Sequence, residues 1–164
     1  IATHGYALLP GGAARMGAVQ PAAATDSMVR RALEAELERS VTGSRASSRA
    51  RYLLGGIAAL EGRLDDAERE FRLALVADPV TRRVHEGLGA IAAAGGRHAA
   101  AVTEYLAEGA IGGWPAGVRA RLGDSYAALG RRDEARRAYR AELADDPGNA
   151  AARDSLAALE AKGR

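Results

Sequence analysis

A chain of 164 residues with a formal net charge of +2 is sized for about one domain and lacks the dominant basic surface that nucleic-acid binding requires. It has no cysteine, which excludes disulfides and thiol chemistry, and no run of about 18 apolar residues that could span a membrane. Arginine stands in place of lysine almost everywhere, Lys162 being the single lysine, and with abundant Ala, Gly and Asp this points to a GC-rich, bacterial source.

Residues 1–25 are rich in Ala, Gly and Pro, with Pro10-Gly11-Gly12 and Pro21 as breakers. They read as a leader without a core of its own. It is either a plain tether or a segment ordered by docking on a partner or on the rest of the chain, with Tyr6, Leu8, Leu9 and Met16 as anchors. Ile1 in place of an initiating Met leaves an upstream signal or anchor open, and such a leader tilts the expected location toward a bacterial periplasmic or membrane-associated protein. Asp26 or Ser27 is then expected to cap a helix over 26–41, with Val29, Leu33, Leu37 and Val41 as its apolar stripe.

From here the chain repeats. Leu54-Gly55, Leu88-Gly89 and Leu122-Gly123 recur every 34 residues. In the same register come Gly62, Gly96 and Gly130, then Ala67, Ala101 and Ala135, then Phe71, Tyr105 and Tyr139. Pro79 and Pro147 close the first and third units. The pattern resembles the tetratricopeptide repeat, over 48–81, 82–115 and 116–149, with 150–161 as a capping helix that carries Leu156-Ala157 in the Leu-Gly slot. The resemblance implies an all-α fold, a right-handed superhelix of antiparallel helix pairs, with the domain spanning 26–164 and the 26–41 helix closing its N-terminal end.

Each landmark has a physical reason. The small residues at the Leu-Gly slot let helices approach to roughly 8–10 Å. Phe71, Tyr105 and Tyr139 supply bulk between units. Gly62, Gly96 and Gly130 end first helices in a left-handed conformation. Asp65, Asp66, Asp133 and Glu134 favour the next helix start, and the prolines stop the second helices. The alternating charges read as solvated faces, with Asp65–Arg69 and Glu68–Arg72 at i,i+4 spacing.

Two departures stand out. Gly113 replaces the usual proline of unit two, so its second helix is expected to fray early, with Trp114 either packed across the unit boundary or exposed as a ligand contact. Glu108 and Glu142 each precede an arginine by 11 residues, which suggests ion pairs Glu108–Arg119 and Glu142–Arg153 between units.

No catalytic constellation is present. His4, His85 and His98 have no metal spacing, and there is neither a nucleophile elbow nor a phosphate loop. No enzymatic activity, cofactor or metal is expected. In the resembled family the first helices line a concave, partner-binding face, which places Arg49, Tyr52, Leu53, Leu60, Arg83, Glu86, Arg121 and Asp124 on the groove, among small residues such as Gly56, Gly87 and Ala90. The family's chaperone-binding members clamp a terminal carboxylate there with Lys, Asn and Arg. Tyr52, Gly56 and Gly87 occupy clamp positions here, which disfavours a chaperone tail. The resemblance implies a non-catalytic scaffold or adaptor within a larger bacterial assembly, taking a partner helix or extended peptide with apolar anchors and acidic character. A regulatory or targeting domain of a larger enzyme is the alternative, and self-association is left open.

Overall fold

The computed structural model describes residues 23–40 and 43–161, and all regular structure among them is helical. The elements are α1 (Ala23–Arg39), α2 (Arg45–Leu60), α3 (Leu64–Ala77), α4 (Val84–Ala94), α5 (His98–Gly112), α6 (Val118–Ala128), α7 (Arg132–Asp145) and α8 (Ala150–Ala161). Helices α2/α3, α4/α5 and α6/α7 form packed pairs; α1 packs on α2 at one end and α8 on α7 at the other. Three-residue links join the helices of each pair, which forces them antiparallel. The expected all-α solenoid is the observed fold. The leader anchors Tyr6, Leu8, Leu9 and Met16, and also Val41, lie outside the described residues.

The first helix differs from expectation in its bounds. It starts at Ala23 rather than at a cap on Asp26 or Ser27, so both of those residues lie inside it. Ala23 and Ala24 carry the strongest helix preference and extend the helix back toward Pro21. It stops at Arg39, where Arg39 Nε donates to the Ala35 carbonyl at 3.1 Å and Ser40 Oγ to that of Leu37 at 3.1 Å. The Ser40 hydroxyl thus occupies a carbonyl that a further turn would have used.

First helices end alike in the three units. The N–H groups of Gly62 and Arg63 donate to the carbonyls of Ala59 and Ala58, and the pairs Gly96/Arg97 and Gly130/Arg131 repeat this on Ala93/Ala92 and Ala127/Tyr126. This is a Schellman turn, and its glycines have φ of +76°, +72° and +74°, as the sequence suggested.

First-helix starts are satisfied in a way that corrects the proposed ion pairs. Helix α2 is capped by its own Ser44, whose hydroxyl accepts from the Ser47 N–H at 3.1 Å. Helix α4 has no side-chain cap of its own. Instead the buried Glu108 of α5 accepts from the N–H groups of Arg83 (2.8 Å) and Glu86 (3.3 Å). In the third unit Glu142 accepts from the Gly117 N–H at 2.7 Å and from Asn149 Nδ2 at 3.1 Å. A carboxylate on unpaired N–H groups at a helix start is favoured by their partial positive charge. Arg119 therefore turns to Asp145 and the Ala141 carbonyl, and Arg153 to the Pro147 carbonyl; neither meets its expected glutamate.

The cross-helix bridge that does repeat spans 19 residues within a unit: Arg51–Glu70 at 3.1 Å and His85–Glu104 at 2.7 Å. Of the pairs at i,i+4 spacing, Glu68–Arg72 forms at 2.7 Å. Arg69 prefers Asp66 at 3.1 Å to Asp65, because an acid three residues back also lies on its face.

Helix α5 corrects the second expectation. It does not fray early but runs to Gly112. Gly109 leaves its backbone bare, and the Trp114 ring lies against it so closely that an added Cβ would come within 2.5 Å of the indole. The indole packs partly buried against the main core, as a unit-boundary anchor.

Candidate functional site

The aromatic of each unit lies on glycine. A Cβ on Gly55, Gly89 or Gly123 would stand 2.6 Å from the ring of Phe71, Tyr105 or Tyr139. Phe71 goes further and also lies on Gly87 of the next unit, where a Cβ would again meet it at 2.6 Å. Helices α4 and α6 touch, as do α6 and α8, but α2 and α4 stand further apart with Phe71 between them.

A pocket opens there. Tyr52, Leu53, Gly56, Ile57 and Leu60 of α2 form one wall, Phe71 the floor, and Arg83, Glu86 and Gly87 the other wall. Tyr52 tilts against Phe71 with centroids 5.9 Å apart, and Leu60 is 55% exposed at the rim. The hollow is tight, about 30 Å³, so it takes the tip of a side chain rather than a whole ring.

The charged wall is held under strain. Arg83 has φ +68°, the only positive φ among the described non-glycine residues, and Gly117 holds the same register in the next unit at φ +80°. A left-handed non-glycine residue costs about 1 kcal/mol; the Glu108 carboxylate on the Arg83 N–H helps to hold it. Arg83 Nε then donates to Glu86 at 3.1 Å, and Arg121 of α6 donates to the other oxygen of that carboxylate. Burial works against the charge on Arg83, but the Glu86 carboxylate outweighs it and holds the guanidinium more firmly protonated than usual. Two buried carboxylates, Glu86 and Glu108, stand against the two guanidinium groups, so the cluster is balanced in charge.

Five of the eight candidates therefore meet in one place: Tyr52, Leu53, Leu60, Arg83 and Glu86. Glu86 is buried and engaged rather than presented, and Arg121 reaches the site through it. Arg49 is exposed on α2 outside the lining. Asp124 lies on α6, where it accepts from the Tyr139 hydroxyl at 2.7 Å and from Ser155 at 3.4 Å. Sequence reasoning missed Ile57 and assigned Phe71 only to packing between units. The Gly87 beside Phe71 in space was the available signal.

Among the described residues no group of three His, Cys, Asp or Glu is arranged to hold a metal ion, and no helix is long and apolar enough to cross a membrane.

Stacked antiparallel helix pairs in 34-residue register, each wedged by an aromatic on glycine, define an α-helical repeat protein. The sequence profile described as tetratricopeptide repeat matches residues 21–80 and 65–116, and the chain belongs to that family. Among solved structures it is similar to MamA (22% identity, TM-score 0.74, over 85% of this chain and 80% of that one). It is also similar to the first tetratricopeptide domain of Spaghetti (RPAP3) bound to the HSP90 peptide SRMEEVD (18% identity, TM-score 0.70, over 75% and 98%). The tetratricopeptide domain of Arabidopsis OM64 is a third such structure (17% identity, TM-score 0.69, over 72% and 98%). No curated protein sequence matches.

Proposed function

We propose that this chain is a non-catalytic interaction scaffold whose groove between α2 and α4 receives a partner helix or extended peptide, as a subunit of a larger bacterial assembly. The observation that carries this reading is the strained Arg83 beside the apolar wall of Leu53, Ile57 and Leu60. Strain of this kind persists where the surrounding structure fixes it, and it gathers at sites of function. Here it sets a cation at the edge of exposed apolar surface, a match for a segment with small apolar side chains followed by an acid. The peptide-bound structure of the RPAP3 domain supports peptide binding by this fold. Tyr52, Gly56 and Gly87 at the clamp positions argue against a terminal carboxylate held as the family's chaperone binders hold it. The bacterial setting rests on the preference for arginine over lysine.

Affinity capture with mass spectrometry, comparing the chain with Leu60→Glu and Arg83→Gly, tests the reading. Leu60 is over half exposed, and glycine suits the backbone at Arg83, so both variants are expected to fold. The partner captured by the wild type should be lost from both. Equal recovery by all three proteins would refute the groove as the contact.

A further inference from the structure

Helix α1 delivers the leader to one end of the groove. It packs on α2, and the five residues between Arg39 and Arg45 turn the chain back, so the two helices run antiparallel. Arg30 of α1 pairs with Glu61, the residue that follows Leu60 at the end of α2. The N-terminal part of α1 therefore lies at the Leu60 end of the groove. Ala23 stands seven residues before Arg30, about 10 Å further along the helix.

The leader carries one short apolar run, Tyr6-Ala7-Leu8-Leu9, followed by Pro10-Gly11-Gly12. The 13 residues 10–22 link this run to α1, and extended they span up to about 43 Å. A helix is about 10 Å across, so the link is long enough to pass round the end of α2 into the groove. The hollow beside Leu53 and Ile57 takes the tip of one side chain, and Leu60 is largely exposed at its rim. In an extended run neighbouring side chains face opposite ways, so one of two adjacent leucines faces the wall in either register. Residues 1–22 contain no Asp or Glu. Docking needs none, because Arg83 and Arg121 are already balanced by Glu86 and Glu108.

We propose that Tyr6–Leu9 docks in the groove between α2 and α4 of its own chain and competes there with the partner. The inference rests on the groove being the partner site. Tethering gives the run an effective concentration in roughly the millimolar range, so contacts too weak to hold a free peptide suffice. A partner displaces it through what the leader lacks, an acid on the Arg83 side chain, which is 42% exposed. The leader thus sets a threshold that an apolar segment with an acid passes and a merely apolar one does not.

The chain has no cysteine, so Gly11→Cys takes a nitroxide label at a single place beside the run. Paramagnetic broadening of amide signals in the full, isotope-labelled chain then maps where the leader sits. Among α2 to α8 it should be strongest at Leu53, Ile57, Leu60 and Gly87. It should be lost at Leu53 and Gly87 when Leu8→Ser and Leu9→Ser are combined, and equally in Leu60→Glu. Broadening spread evenly over the helices, or unchanged by the serine pair, would overturn the proposal. Broadening seen only between a spin-labelled chain and a separate isotope-labelled one would assign the run to a second copy and overturn it equally. A dye-labelled peptide of residues 1–12 should bind the serine-pair chain saturably, and the wild type about fivefold more weakly; equal binding to both would contradict docking within one chain. Partner capture is read separately. Capture lost in Leu60→Glu with no broadening at the groove fails the leader contact alone; broadening at the groove with capture unchanged in Leu60→Glu fails the partner site and keeps the leader contact.

Discussion

Gly55 and Gly56 are neighbours in the chain with opposite surroundings. A Cβ at Gly55 meets Phe71 at 2.6 Å, whereas one at Gly56 meets nothing within 4 Å. Gly55→Ala should therefore destabilise the fold by roughly 1–3 kcal/mol through overpacking, and Gly56→Ala should stabilise it by about 0.5–1 kcal/mol through helix preference. Denaturant unfolding of the two variants checks both signs. Glu108 is the other decisive residue. Glu108→Ala should cost about 1–3 kcal/mol, because it leaves buried N–H groups at the start of α4 without an acceptor. A double-mutant cycle of Glu108 with Arg119 should be additive within about 0.5 kcal/mol. Gly55 was legible in the sequence, since periodicity shows a residue that must stay small. The partner of Glu108 was not, because a backbone N–H belongs to every residue and leaves no mark on the sequence. The regular spacing of 11 residues to an arginine offered a side-chain partner that the geometry does not use.

At the level of the helix, the wedge aromatics give a readable signal. Burial pushes the Tyr105 hydroxyl up to about 12 from an ordinary 10.0, and burial together with the hydrogen bond to Asp124 pushes Tyr139 further in the same direction. A raised folded value means that the stabilisation is complete below 10.0 and is lost as pH climbs through the folded value. Tyrosinate absorbance should thus show part of the chain's five tyrosines ionising late, together with loss of helical signal. Ionisation of all five near 10 in a chain that stays helical would contradict this packing. Element boundaries were legible where a glycine or proline marks them, as at Gly62 and Pro79. They were not legible at α5, because Gly113 suggested early fraying and nothing local to it shows that Gly109 and Trp114 lock the helix end together.

For the whole molecule, the 34-residue period made the architecture legible, because each landmark answers a contact that every unit repeats. The site was less legible for the same reason: it sits where the repeat is broken. Phe71 reaches two glycines because unit two has Gly87 where units one and three have Leu53 and Arg121. In a stack of this kind the end helices protect the core. Ala152, Leu156 and Leu159 of α8 join the larger apolar cluster, so removing residues 150–164 should lower stability by about 3 kcal/mol or more, visible as a lower melting temperature. The central claim is that the face between α2 and α4 makes the contact with a protein partner. Hydrogen exchange read by mass spectrometry, on the chain alone and with its captured partner, tests it most directly. Slowed exchange should concentrate in α2 and the start of α4. Unchanged exchange there, with protection confined to other helices, would contradict it.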